Sequence, residues 1–258
     1  MRSLLVLFIA LPLAAAAAAP PRPSPLKNGS EFQSADVRAL QADDFANPMA
    51  LWVDRGRALW SASRDGRSCA GCHGDAAASM KGVAARYPRF DPALGRVVDL
   101  GQRVAACFES SGGAKLPAES DDLLALTAYV ALQSRGMPLA VSIDGPARAT
   151  WEKGRDLYFT RVGQLDMACT SCHDASWGKT LLAEPVSQGH PTGWPAYRLE
   201  WQRPGSLQRR LRACFNGVRA EMPPYDSPDL VALELYLAWR GRGLPLESPG
   251  VRRYAAKP

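Results

Sequence analysis

Cys69-Ala70-Gly71-Cys72-His73 is repeated 100 residues later as Cys169-Thr170-Ser171-Cys172-His173. The spacing is that of covalent haem attachment. Two thiols separated by two residues can both reach one edge of a porphyrin and add to its vinyl groups. The next residue, a histidine, is then held under the iron as its proximal ligand. A lone C-x-x-C would equally suit a redox dithiol or half a zinc site. Two copies of the five-residue pattern, which hold two of the chain's three histidines, point instead to two haems c. Cys69 and Cys72 would attach one, with His73 as ligand; Cys169 and Cys172 would attach the other, with His173.

The sequence around these units is itself duplicated. DLLALTAYVALQSRGMPL at 122–139 returns as DLVALELYLAWRGRGLPL at 229–246, with ten of the eighteen positions identical at an offset of 107. The same offset carries Arg103 to Arg210, Cys107 to Cys214 and Phe108 to Phe215, while GRALW at Gly56 resembles GRDLY at Gly154. A repeat of this length is a duplicated domain rather than a solenoid unit. Each half reads as helix, haem motif, irregular stretch, cysteine, helix. Both closing helices are rich in apolar residues and end at Arg-Gly with Pro two residues later, a helix stop. The segment Trp177–Pro204, dense in Pro, Gly and Trp, reads as a loop wrapping the second haem. The expected fold is mainly α: two tandem cytochrome-c-like domains, each with one covalent haem.

Two cysteines remain. Cys107 and Cys214 follow their haem histidines by 34 and 41 residues. A duplicated domain would use each for the same job in its own half, so a thiolate on each iron is the preferred reading. A Cys107–Cys214 disulfide is one alternative. Met222-Pro223 is another, because a Met–Pro pair at that distance from His173 resembles an ordinary axial methionine, and His and Met are common sixth ligands. His190, the one histidine outside the motifs, cannot serve both haems.

Charge separates the halves. Between Arg198 and Ala220 six arginines face a single acid, Glu200, for a net +5; the matching window from Asp91 to Gly113 has two arginines and three acids, for −1. On a helix Arg210 would lie one turn before Cys214 on the same face. Cationic surroundings lower a thiol pKa and attract anions, which marks the second half as the site of chemistry on an anionic substrate. The whole chain carries +6, a moderate excess that suits an acidic partner or an anionic small molecule, and no nucleic-acid motif is present.

The N-terminus carries Met1, Arg2, the apolar run SLLVLFIALPL and then AAAAAAP. This is the pattern of a cleaved export signal, shorter than the roughly 20 apolar residues of a membrane span. The expected organisation is a signal peptide over 1–19, an N-terminal extension over 20–44, a first cytochrome-c-like domain over 45–140, a linker over 141–148 and a second domain with the active site over 149–258. The expected location is the periplasm, with no stable membrane span.

QADDFANPMALWVDRGRALW, both C-x-x-C-H units and RRLRACFNGVRAEMPPYDSPDLVALELYLAWRGRGLP resemble the SoxA family, dihaem subunits of the SoxAX cytochromes of bacterial sulfur oxidation. The resemblance covers nearly all of the chain after the signal. It implies a pair of cytochrome-c-like domains and a monohaem partner, SoxX. It further implies conjugation of thiosulfate to a cysteine of the SoxYZ carrier, with electrons passed to a cytochrome c acceptor. By the same resemblance Cys214 is the catalytic residue and a haem ligand, Arg210 contacts the substrate, and Cys107 is the distal ligand of the first haem. The iron ligands would be His73 and Cys107 in one half and His173 and Cys214 in the other. A plain dihaem electron carrier with Met222 on the second iron, and no substrate of its own, is the rival reading. Mass spectrometry of the unfolded, processed chain will show two haem additions; one or none would contradict the reading of the paired motifs.

Overall fold

The computed structural model describes residues 22–181 and 184–253. The expected signal peptide lies outside them. In chain order the helices are α1 (Ala35–Ala42), α2 (Ala50–Ser61), α3 (Cys69–His73), α4 (Ala76–Ser79), α5 (Leu100–Ser110), α6 (Asp121–Leu132), α7 (Arg148–Phe159), α8 (Cys169–His173), α9 (Leu207–Gly217) and α10 (Pro228–Arg240). The strands are short: β1 (Arg89–Asp91), β2 (Arg96–Val98), β3 (Thr180–Leu181), β4 (Glu184–Pro185), β5 (Ala196–Arg198), β6 (Arg203–Gly205) and β7 (Gly250–Arg252). The protein is mainly helical, and among the described residues no helix is long and apolar enough to cross a membrane.

The duplication is visible element by element. β1, β2 and α5 recur as β5, β6 and α9 at the offset of 107, and α6 recurs as α10. Ser120 and Ser227 cap the last two, each hydroxyl accepting from the backbone N–H three residues on, which satisfies one of the donors a helix start leaves open. α6 and α10 are buried along nearly their whole lengths, so each needs an apolar partner. α2 supplies one for α6, and α7 supplies the other for α10. The two crossings share one device. A Cβ placed on Gly56 would lie 2.2 Å from the Ala125 carbonyl oxygen, and one on Gly154 would lie 2.0 Å from that of Ala232. Only glycine permits such approach of backbones. The repeated GRALW and GRDLY stretches are therefore contact points between the first and last helices of each half.

The halves are joined by their own repeats. The segments after α6 and α10 pair with each other: Gly136 N–H donates to the Leu246 carbonyl at 2.8 Å and Leu246 N–H to that of Met137 at 2.9 Å. A second join is reciprocal. Glu119 of the first half accepts from the Ser206 N–H at the start of α9 at 3.1 Å. Its repeat equivalent Asp226 accepts from Gln102 Nε2, in the first turn of α5, at 3.3 Å. Asp99, the N-cap of α5, also accepts from Gln208 Nε2 at 2.7 Å. The starts of the two cysteine-bearing helices are thus tied to each other.

One sequence expectation changes. Trp177–Pro204 is not a plain loop: it contains the β3–β4 hairpin and β5, with β6 beginning just before its end. β5 also pairs in parallel with β7, whose Gly250 aligns with Ala196. The strand partner lies over fifty residues away, so local composition shows only the Pro, Gly and Trp of the connections. The N-terminal extension packs against the second half. Arg22 Nε donates to the Arg240 carbonyl at 2.8 Å, Gln188 Nε2 donates to the Pro25 carbonyl at 2.9 Å, and α1 packs on β7. Residues 22–42 therefore lie on the second half before the chain enters the first.

Between the halves lies a cleft of about 130 Å³ lined by Asp99, Glu119, Thr127, Asp226 and Glu234, with no Lys or Arg among its lining residues. Thr127 and Glu234 are repeat equivalents. Both are more than nine-tenths buried, and Thr127 Oγ1 has no hydrogen-bond partner among the described residues. Burial pushes the Asp99 carboxyl up to about 6, with the Asp226 charge adding to it. Burial, then the charges of Asp99, Asp226 and Glu119, push Glu234 well above the usual carboxylate range. The folded chain therefore retains protons that the unfolded chain has released, and stability falls as pH rises through that interval. Urea denaturation will show this decline from about pH 4 through pH 6 and beyond, the interval between the ordinary and the raised Asp99 values. Glu234→Gln will flatten it and stabilise the protein at pH 7, because the folded chain no longer holds a proton there that the unfolded chain releases.

Candidate functional site

Each haem motif forms a single helical turn, α3 or α8; Cys72 is exposed and the other three motif thiols are half-buried. All six cysteines are free thiols. Cys107 sits on α5 and Cys214 on α9, each in the same place of its half. Neither faces the other. The charge of Cys107 bears on Cys69, and that of Cys214 on Cys169 and Cys172.

The second half brings the predicted residues together most closely. The Cys214 thiol neighbours the His173 ring, which is among the groups that set its pKa. On the other side of that ring, Nδ1 lies 2.7 Å from the Ser187 carbonyl. Nδ1 donates its hydrogen there, which fixes the tautomer and leaves Nε2 a lone pair for a metal. Gly189 packs against the ring so closely that a Cβ would lie 3.1 Å from it. Around this pair, Tyr158 donates to Asp174 at 2.9 Å, and the fully buried Arg240 forms an ion pair with the same carboxylate. Met222 is 43 % exposed in the stretch after α9, so the thiol rather than the thioether is what the fold turns toward His173. His190 is buried with Nε2 on Gln188 Oε1 at 3.2 Å, and burial pushes it down to about 3. It is neutral and engaged away from the cysteines.

α9 is helical over 207–217, which confirms that Arg210 lies one turn before Cys214. Burial alone would raise the Cys214 thiol. The Arg210 charge, with a smaller contribution from the neighbouring His173 ring, outweighs it and brings the thiol down to about 7, with Glu184 opposing. Cys169, also buried but without a cation, is pushed up to about 12. One thiol of the second half is therefore set apart by its neighbours. In the first half, Arg103 pairs with Asp91 at 3.3 Å, and His73 packs its ring against Trp60 at 5.8 Å.

A family model described as the SoxA/TsdA cytochrome c domain matches residues 55–139. The L-cysteine S-thiosulfotransferase subunit SoxA of Pseudaminobacter salicylatoxidans is 42% identical over 92% of this chain and 85% of its own length. The subunit of the same name from Paracoccus pantotrophus is 41% identical over 87% of this chain and 78% of its own. The chain belongs to the SoxA family. A solved structure of SoxXA from P. pantotrophus superposes with a TM-score of 0.83 at 40% identity, covering 88% of this chain and 87% of that one. The SoxA fold is thus cytochrome-c-like and mainly helical, and a cytochrome c domain holds haem c covalently.

The residues present fit that group. Paired thiols stand free on one helical turn, the following histidine has one nitrogen fixed and one available, and a thiol faces it from the opposite side. Arg240 adds two buried nitrogens, Nε and Nη1, that have no partner among the described residues, which suits a buried anionic group such as a haem propionate. Sequence reasoning missed the Ser187 carbonyl that orients His173 and the Glu184 carboxylate at Arg210. Neither has a repeat equivalent or a motif to mark it. Both reach the site from the segment taken as a loop.

Proposed function

We propose that this chain is the haem-bearing subunit of an L-cysteine S-thiosulfotransferase, joining thiosulfate to a cysteine of a SoxYZ-type carrier and passing the electrons to a cytochrome c. The observation that carries the reading is the placement of Cys214 between His173 and Arg210, with its thiol held near 7 in a buried setting. The chain comprises two tandem cytochrome-c-like domains, over 45–140 and 149–258 with a linker over 141–148, each with one haem c. Cys69 and Cys72, and Cys169 and Cys172, attach the groups. His73 with Cys107, and His173 with Cys214, would bind the irons. A monohaem SoxX subunit completes the complex in the periplasm. The SoxA name of the relatives and the SoxXA title of the similar structure support this reading.

Joining the outer sulfur of thiosulfate to a carrier thiol forms one S–S bond and releases two electrons and the thiol proton. Bound haem iron supplies the one-electron acceptor that such a step needs. The rest falls to side chains. The Arg210 guanidinium can give two parallel hydrogen bonds to the oxygens of the sulfonate-like end, which points the outer sulfur along α9 toward Cys214. Half-burial of the arginine strengthens this contact relative to water. Ser187 holds His173 in one tautomer, and thereby holds the face against which the Cys214 sulfur lies.

Arg210→Ala will lower turnover at low thiosulfate roughly 10- to 150-fold, the equivalent of one charge-assisted hydrogen bond of about 1.5–3 kcal/mol, with haem absorption retained. Arg210→Lys will recover part of it. Arg103→Ala, the matching change in the first half, will leave thiosulfate kinetics nearly untouched, and Cys214→Ala will abolish turnover. Equal effects of the two arginine changes would place the chemistry elsewhere.

A further inference from the structure

At the offset of 107 the duplication sets Arg198 where the first half has Asp91. The first-half arrangement is a simple pair. Asp91 Oδ2 lies 3.3 Å from Arg103, and its Oδ1 accepts from the backbone N–H groups of Ala93 at 2.9 Å and Leu94 at 3.2 Å. In the second half the acid has become an arginine, so two guanidinium groups, Arg198 and Arg210, replace one acid–base pair. A carboxylate arrives from a different element to meet them. Glu184, on β4, places Oε1 3.2 Å from Arg198 Nη1 and Oε2 3.2 Å from Arg210 Nη2. Arg198 is almost wholly buried and is shared with Glu200 at 3.3 Å. Arg210 and Glu184 are each about a fifth to a quarter exposed.

The two carboxylates are held differently. Asp91 is pinned by its own turn, whereas the contacts that place the Glu184 carboxylate run to the two guanidinium groups. It bridges them as a bound oxyanion would, one oxygen to each. The hairpin that carries it is small, only Thr180–Leu181 against Glu184–Pro185, and β3 is exposed.

We propose that Glu184 is an internal anion occupying the oxyanion position at Arg210, which an anionic substrate must displace. The inference rests on the reading that Arg210 receives thiosulfate. A monoanion that takes the place of the carboxylate exchanges one negative charge for another, whereas a dianion brings a second charge to the same pair of guanidinium groups. Displacing Glu184 costs every such anion the same free energy, so the carboxylate raises the threshold for binding at this position, and its removal should tighten all of them by a similar factor.

Equilibrium dialysis of the haem-loaded protein, isolated with its cytochrome partner, against radiolabelled thiosulfate tests this. Glu184→Gln keeps the shape and removes the charge. It will tighten thiosulfate binding roughly 3- to 10-fold, the scale of a partly buried ion pair. It will also make chloride and thiocyanate compete more strongly, by a similar factor. Glu184→Ala will give the same result where Gln is not tolerated, with haem absorption as the check on folding. Weaker thiosulfate binding in these variants would mean that Glu184 orients Arg210 for substrate, and unchanged binding would mean that it is a bystander; either result overturns the proposal. Arg210→Ala measured alongside separates the two claims. If it weakens binding while Glu184→Gln fails to tighten it, only the displaced-anion idea falls. If it has no effect, the assignment of Arg210 falls and the proposal with it.

Discussion

The backbone contact between the first and last helix of each half is the constraint on which the remainder rests. At Gly56 and Gly154 the helices meet with a carbonyl oxygen where a side chain would begin. That approach sets the position of α2 and α7, and the haem motifs follow within ten residues as α3 and α8. The same crossing buries α6 and α10, which leaves α5 and α9 to pack beside them and present a cysteine to each motif. Inserting even one methyl group would force the helices apart, and a close-packed interior has no slack to absorb the shift.

The halves share that frame and differ in charge. In the first, an acid from β1 neutralises the arginine one turn before the cysteine. In the second, the corresponding strand supplies another arginine, and the thiol beneath the pair drops to about 7 despite being buried. Burial and positive charge pull in opposite directions on a thiol. The outcome at Cys214 is decided by adjacency, since Arg210 on the same helix and His173 across from it both act at close range. A duplicated domain has thus kept its packing and changed the electrostatics of one copy, which is an economical route from an electron carrier to a site of chemistry.

The first half also bears on the second mechanically. Asp99 and Glu119 hold the start of α9 from across the cleft, while Asp226 returns a bond to the start of α5. Several of these groups are carboxyls in a pocket without a lysine or arginine, so the junction is least stable where they would all be ionised. The N-terminal segment adds a further tie by lying over Gln188 and β7. The two domains expected from the repeat are consequently not independent beads on a linker.

Much of this was written locally. The C-x-x-C-H units, the offset of 107, the paired Cys107 and Cys214 and the arginine excess around the latter can be read by eye, because covalent attachment and helical periodicity are short-range demands. Resemblance added the roles of Cys214 and Arg210. The strands between 177 and 204 escaped notice because β5 finds its parallel partner only at β7, and the repeated glycines could be seen to recur but not to be the points where helices touch. Ser187 and Glu184 were invisible for the same reason: hydrogen bonds and ion pairs act through space, and nothing in a residue's own neighbourhood records which distant ring or guanidinium it will meet. The sequence by itself determined which chemistry the chain carries and that it carries it in duplicate. Only the tertiary structure decided how the cysteine beside Arg210 is tuned, by bringing an imidazole and a competing carboxylate up to the helix that carries both.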